Sequence, residues 1–398
     1  MLSVDEALER LLAGIGLTDA ERVPLADAFG RVPVEPALTS EHDVPPFANS
    51  AMDGYALRAA DGDVARPVIG ESRAGGPPAP DVVPGAAVRI MTGAPIPDGA
   101  DAVVPIEDAE ERDGMVSVAS PPRAGTHVRA AGHDVRRGEA VQLPRGPLTP
   151  SVIGLLAAMG HADVDVRRRP RVAILSSGDE LRPPGAPLAH GQINDANGPA
   201  LAAAVAEAGG EPLVLEPAPD DPALIERRIR EGMEDADLLI ASGGVSVGEH
   251  DHVRGVIERL GALDFWRIAV QPGKPLAFGR IFERPVIGLP GNPVSALVTF
   301  ELFARPMLRA MLGLAGDGRL RVRARVDAAL GKDPPRRAYL RVRVERDSDG
   351  YRAVSAGGQG SSQLLPLASA NALLVVPEGI SVTESGATYE AILLGPVA

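Results

Sequence analysis

Ala236-Asp-Leu-Leu-Ile-Ala-Ser-Gly-Gly-Val-Ser-Val-Gly-Glu-His-Asp251 decides how this chain folds. An apolar run over 236–241 breaks into a turn with three glycines and two serines. Val286-Ile-Gly-Leu-Pro-Gly-Asn-Pro-Val-Ser295 repeats the pattern, and Gln271-Pro-Gly-Lys-Pro275 lies between the two. Each apolar run reads as a buried strand that ends in a Gly-rich turn and opens a helix. Backbone N–H groups at such turns attract anions. In an open α/β sheet, that edge is where ligands bind. A phosphate-like ligand is expected there.

The remaining composition bounds the protein. Its 398 residues predict two to four domains at roughly 150 residues each. A hydrophobic content of 45% fills ordinary cores, and with few aromatics the packing falls to Val, Leu, Ile and Ala. No cysteine is present, which excludes disulfides and thiolate metal sites. Net charge −13 argues against a general nucleic-acid binder, so an anionic ligand needs locally gathered positive charge. Only two of the 40 basic residues are lysines, Lys274 and Lys332. A GC-rich genome explains most of that bias, yet an ammonium in the Pro-Gly-Lys-Pro loop suits a compact oxyanion contact. Met1–Leu12 reads as an acidic amphipathic helix with Ser3 and Glu6 as a capping box, and it lacks the features of a signal peptide. No apolar run reaches the roughly 18 residues of a membrane span. A soluble cytoplasmic protein is expected.

Short β-like runs at 86–91, 102–106 and 115–118 predict a small β domain within 41–130. Residues 150–159 read as a helix stopped by Gly160. From Arg171, strand-like runs at 171–175, 212–216, 237–241 and 286–289 alternate with helical stretches at 197–208, 221–233, 251–260 and 292–312. That order predicts a mostly parallel sheet. Gly313–Gly318 reads as a linker, and alternating strands at 320–326 and 339–344 predict a second small β domain.

Ser176-Ser-Gly-Asp-Glu180 places carboxylates at a strand's C-terminal end, where they can hold a metal; an Asp helix cap beside a solvated Glu is the structural alternative. The turn at 242–251 is neither a Walker A loop nor a dinucleotide fingerprint. His250 and His252 diverge on a helix, so Asp251 is the better ligand candidate. Asn292 is expected as a helix N-cap, with Pro293 at the first helical position and the turn's amides still open to an anion. Arg309 is expected on the surface. Glu41–Ala56 has no periodicity and ends in Asp53-Gly54, a possible tight turn or a site loop.

Together, Pro46–Ala56, Arg89-Ile-Met-Thr-Gly-Ala-Pro95, Ser177-Gly-Asp-Glu-Leu181, Ser242–Glu249, Pro272–Pro275 and Leu289–Ser295 resemble the molybdopterin molybdenumtransferase family, which includes the C-terminal domain of gephyrin. The resemblance runs over essentially the whole chain. It implies insertion of molybdenum into adenylylated molybdopterin from molybdate, with AMP released and Mg2+ or another divalent cation used. It implies an elongated homodimer with a split N-terminal α/β domain (1–44 and 131–170), an inserted β domain (45–130), an α/β molybdopterin-binding domain (171–317) and a C-terminal β domain (318–398). The cleft would lie between the α/β domain of one subunit and the N-terminal region of the other. Carried over by motif, the catalytic positions are Asp53, Thr92, Asp134, Glu180, Asp220 and Asp251, with Glu180 and Asp251 on the metal. The substrate-binding positions are Ser242, Gly243, Gly244, Ser246, Lys274, Pro275, Pro290, Gly291, Asn292, Pro293, Arg341 and Ser361, the last two on the molybdate side, where Lys274 and Arg341 would form cationic walls. Implied partners are a second copy, the molybdopterin adenylyltransferase and downstream cofactor-maturation proteins, with neither nucleic acid nor membrane. Two departures stand out: Gln271 occupies a position that is often basic, and Phe-Ala-Asn-Ser stands where Phe-Asp-Asn-Ser is common. A non-catalytic pterin scaffold and a molybdopterin adenylyltransferase are the competing readings.

Overall fold

The computed structural model describes residues 1–244 and 252–397. Two compact units emerge: Met1–Ala20 with Arg167–Ala398, and Glu21–Val166. The first opens with α1 (Val4–Leu12), capped by the reciprocal Ser3–Glu6 bonds that the sequence predicts. The sheet that follows has strands β1 (Arg171–Ser176), β2 (Glu211–Val214), β3 (Leu238–Ser242), β4 (Gly261–Arg267), β5 (Pro275–Ile281) and β6 (Arg284–Leu289). Helices α2 (Asn197–Glu207), α3 (Pro222–Met233) and α4 (His252–Leu260) connect them, and α5 (Pro293–Thr299) follows the sheet.

The spatial order is β2-β1-β3-β6-β5-β4. The first four strands are parallel, and β6-β5-β4 run antiparallel, so β5 and β4, the last two strands on one side, complete a mixed sheet that the apolar pattern alone did not indicate. Side chains alternate between faces with period two. Val172, Ile174, Leu238 and Ile240 pack on one face with α1, α2 and α5. Ala173, Leu175, Leu239 and Ala241 pack on the other with α3 and α4. Burial on both faces is why these strands read as unbroken apolar runs.

The helical stretch expected at 292–312 is not one α-helix. After α5 comes a π-helical turn, Phe300–Ala304, closed by the Arg305 N–H on the Phe300 carbonyl, and then α-helix again over Arg305–Met311. Pro306 supplies the physical reason: it has no N–H and its ring crowds the preceding carbonyls, so the backbone widens by one residue. The segment 313–318 is not a loose linker. Arg305 Nε donates to Asp317 O at 3.0 Å and Arg309 Nε to Gly316 O at 3.0 Å. Arg309 is therefore half-buried, not the surface residue expected. Just beyond, Arg319 reaches Glu207 on α2 and Glu301 on the π turn at 2.7–2.8 Å. Burial pulls its pKa down, but the hydrogen bonds it donates to both carboxylates outweigh this and hold it above the usual arginine range.

The C-terminal strands Arg321–Val326, Arg337–Asp347, Gly350–Ser355, Ala372–Val376 and Thr388–Leu393 close on themselves, because Arg337–Asp347 pairs with both Gly350–Ser355 and Ala372–Val376. A small barrel results. Val270–Gln271 adds to its edge, parallel to Arg337 and Ala338.

The second unit, Glu21–Val166, holds a six-stranded sheet ordered Ala102–Pro105, Gly54–Leu57, Ala87–Ile90, Arg66–Ser72, Met115–Val118, Ala109–Arg112. Chain entry and exit lie side by side, where Asn49–Ser50 pairs with Val128–Arg129. A separate core gathers Leu148, Leu156, Met159 and Val166 around the helix Pro150–Ala158. Among the described residues no helix is long and apolar enough to cross a membrane.

The sequence grouped α1 with residues 21–44, yet Val4, Ala7 and Leu11 belong to the core beneath β1 and β3. Leu11 is wholly buried there. Leu11→Ala should destabilise this unit by about 2–5 kcal/mol, read as a lower urea midpoint with an unchanged slope. A change within error of zero would show that α1 does not belong to this core.

Candidate active-site cleft

The strand order reverses between β1 and β3, and a crevice opens past the carboxyl ends of β1, β3 and β6, as doubly wound sheets require. It has a volume of about 690 Å³ and is lined by Glu180, Asp220, Ser242, Gly243, Gly244, Pro275, Pro290, Gly291, Asn292 and Pro293, all expected site residues. Ser246 and Asp251 lie outside the described residues, as do Glu249 and His250.

Local backbone chemistry explains how these groups meet. Gly243 and Gly244 have φ of +86° and +60°, where side chains are strained, and a Cβ on Gly243 would stand 2.6 Å from the Ser177 carbonyl. Gly178 makes room for the Glu180 carboxylate, which folds back over it. Asp179 caps no helix, contrary to the structural alternative: its Oδ1 accepts from the backbone N–H of Asp220 at 3.0 Å. That bond brings the loops after β1 and β2 together and sets Asp220 in the cleft with Glu180.

The turn after β6 departs from expectation. Asn292 sits at the N-cap, but its side chain makes no capping bond. Pro293 has no N–H, and Val294 donates to the Ser361 carbonyl at 3.1 Å. One of the amides expected to meet an anion is thus taken by the barrel's 357–362 loop, whose Ser362 also lines the cleft.

Lys274 is exposed on the loop before β5 and is not part of the cleft lining, although its neighbour Pro275 is. Gly273, at φ +110°, lies tight against the Thr299 methyl, which seats the loop on α5. Gln271 holds the loop from the other end: its Oε1 accepts from Asp333 N–H at 2.8 Å. The residue that departs from the basic pattern is therefore a tether to the barrel. The other lysine, Lys332, donates only to carbonyls, and burial lowers its pKa.

Arg341 is not an exposed cationic wall. It is 0% exposed, and its Nη2 donates to the carbonyls of Gly358 at 2.9 Å and Gly360 at 3.1 Å. Its Nε is buried without a partner, and burial alone holds its pKa below the usual arginine range. Within this unit its charge stands beneath the loop that carries Ser361.

Three expected positions lie in the Glu21–Val166 unit. Asp53 Oδ1 accepts from Thr92 N–H at 2.6 Å and from Thr92 Oγ1–H at 2.8 Å. The backbone bond first, then the hydroxyl, hold the Asp53 carboxyl below the usual carboxylate range. Gly54 does not serve a tight turn: it sits in a strand, where a Cβ would collide with the Val104 carbonyl. Asp134 is exposed and bonds through its backbone to Val44 O at 2.9 Å.

Asp195 and Asn197 are among the cleft residues that the sequence did not single out. Asp195 is 5% exposed, and its Oδ1 accepts from the N–H groups of Asn197 and Gly198 at 2.9 and 3.0 Å. The available signal was Asn194-Asp-Ala-Asn-Gly198, an Asx-rich start ahead of an apolar helix. Among the described residues, no three acidic or histidine side chains converge as a closed metal site.

Comparison with known proteins agrees with this architecture. Residues 2–160 match the MoeA N-terminal region (domain I and II), 173–310 a probable molybdopterin binding domain, and 323–394 the MoeA C-terminal region (domain IV). Molybdopterin molybdenumtransferase 2 of Mycobacterium tuberculosis is 39% identical over 377 residues, 92% of each chain. The Bacillus subtilis molybdopterin molybdenumtransferase is 34% identical over 99% of this chain and 94% of its own. The crystal structure of the molybdopterin biosynthesis MoeA protein of Pyrococcus horikoshii superposes over 100% of both chains, with a TM-score of 0.85 and 34% identity. A match of this extent over all three regions places the chain in the MoeA family of molybdopterin molybdenumtransferases.

Proposed function

We propose that the chain inserts molybdenum into molybdopterin, taking adenylylated molybdopterin and molybdate to molybdenum cofactor and AMP. One observation carries this reading beyond family membership: Glu180, Asp220 and both glycine-rich turns meet in one 690 Å³ cleft at the switch point of the sheet. Backbone amides after β3 suit the phosphates of the pterin nucleotide. An exposed Lys274 beside Pro275 adds a cation to the rim. Molybdate and pyrophosphate are both anions, and charge-assisted hydrogen bonds of this kind offset their repulsion.

Glu180 and Asp220 would repel such substrates if nothing offset their charge. Two carboxylates with no nitrogen or sulfur donor fit a hard divalent cation such as Mg2+, with water and substrate phosphate completing its shell. Glu180 and Asp220 would hold it, and Asp251 is the further ligand expected from sequence. When bound, the cation would polarise the phosphoanhydride. The protein's own part is to fix the phosphates at the turns and to present both carboxylates to the cleft. AMP release measured against molybdate concentration tests the reading: no molybdate-dependent release from adenylylated molybdopterin would overturn it. The competing adenylyltransferase would instead consume ATP with free molybdopterin.

The site is also proposed to be shared in a homodimer. Asp53 and Thr92 form an exposed hydrogen-bonded pair, with Phe47, Met52, Met91 and Ile106 exposed in the same segments, a mixed surface suited to burial against a second copy. Molybdopterin adenylyltransferase and cofactor-maturation proteins are proposed as transient partners, on family grounds alone.

Glu180→Gln should lower turnover about 10- to 150-fold, the loss of one charged interaction of about 1.5–3 kcal/mol, with part of the loss recovered at raised Mg2+. Turnover equal to wild type would remove Glu180 from the site. Subunits carrying Asp53→Asn mixed with subunits carrying Lys274→Ala should regain part of the activity that each lacks alone; confirmed subunit exchange without recovery would refute a shared cleft. For Asp53 the sign of the pH effect follows from its depressed pKa. The carboxylate and its two bonds to Thr92 persist at neutral pH and are lost only as pH falls through a value below the usual 3.9 or so. Thr92→Val removes the hydroxyl but keeps the backbone donor, so the Asp53 midpoint, followed by carboxyl NMR, should rise toward that usual value. An unmoved midpoint would show that the hydroxyl does not hold the carboxylate.

A further inference from the structure

Asn197 begins α2 and lines the cleft. Its side-chain nitrogen donates to Ser242 Oγ at 2.7 Å and to the Gly291 carbonyl at 2.8 Å. A carbonyl can only accept, so the amide orientation is fixed by chemistry, and both hydrogens of one NH2 group are committed. The main chain beneath is fixed too, because the buried Asp195 carboxylate accepts from Asn197 N–H and Gly198 N–H. Gly198 is confined in turn, since a Cβ there would stand 2.6 Å from Asp195 Oδ2.

The location gives this bridge its importance. The ladder between β3 and β6 ends at the pair Ser242–Leu289. Past that pair the two chains become the glycine-rich turns, and a Cβ on Gly291 would come within 3.5 Å of the Gly243 Cα. Asn197 spans the turns where the ladder stops, and it does so from a third element. Asp195, Asn197, Ser242 and Gly291 thus form one line of hydrogen bonds across the floor of the crevice.

We propose that Asn197 is a positioning residue for the transfer reaction: it sets the separation of the two glycine-rich turns and so the placement of the substrate phosphates between them. The proposal rests on the reading of the cleft given above. Reacting groups misplaced by about 1 Å can cost a rate factor near 10², so the bridge acts on turnover more than on binding.

Asn197→Ala, Ser242→Ala and the double variant test it in the full-length protein. In Asn197→Ala, kcat for molybdate-dependent AMP release should fall about 10- to 100-fold, while KM for adenylylated molybdopterin rises only a few-fold. The double variant should lose less than the product of the two single losses, because Ser242 accepts the same bond. Amide hydrogen exchange at residues 288–293 should quicken in Asn197→Ala, a readout independent of activity. Wild-type kcat in Asn197→Ala, additive losses in the double variant, or unchanged exchange would each overturn the proposal. If wild type itself releases no AMP, the functional reading falls, and exchange still reports whether the bridge holds the turns. A variant that only unfolds at lower temperature, with kcat and KM intact, assigns Asn197 to stability and overturns the positioning role.

Discussion

The double-sided burial of Leu238–Ser242 is the constraint on which the rest depends. This strand is hydrogen-bonded on both edges, to Arg171–Ser176 and Arg284–Leu289, and its side chains are buried on both faces. A strand so enclosed cannot slip by one residue without exchanging its two sets of apolar contacts. Its end is therefore fixed in space, and the chain must leave the sheet at Ser242. Gly243 and Gly244 permit the sharp exit, and everything that lines the cleft is arranged around it.

Polar contacts at that exit are few and shared. Asp179 accepts from the Asp220 backbone, Asp195 fixes the start of the helix at Asn197, and Asn197 joins Ser242 to Gly291. Each uses a short Asn or Asp side chain at a loop, where such groups compete well for backbone partners. The result is a crevice whose walls come from distant parts of the sequence but whose floor is one connected set of hydrogen bonds.

The C-terminal barrel takes part through backbone and buried charge. Ser361 offers a carbonyl to Val294, Gln271 meets the Asp333 amide, and Arg341 stands inside the loop that supplies Ser361. Arg319, Glu207 and Glu301 join barrel, helix and π turn in an ion cluster in which Arg319 and Glu301 are shielded and Glu207 faces solvent. A guanidinium removed from water without a carboxylate, as in Arg341, is held by carbonyl dipoles alone, so its field persists across the loop where an exposed arginine would be screened.

The sequence alone determined the parallel core strands, the helix starts and the glycine-rich turns, because unbroken apolar runs, capping residues and positive-φ glycines are local requirements written residue by residue. It also determined the family, since six motifs in fixed order carry that resemblance. Only the tertiary structure decided what long-range partners dictate. Leu11 turned out to pack under the α/β sheet because its partners lie more than 150 residues away. Pro306 divided one expected helix into two joined by a π turn, whose place in the packed chain the folded structure shows. Gly54 proved necessary for its distance from the Val104 carbonyl, Gln271 became a tether, and Arg341 moved from an expected wall to a buried support. Asn197 remained unnoticed for the same reason: its two acceptors, Ser242 and Gly291, lie 45 and 94 residues along the chain, and only folding brings them within reach of one amide.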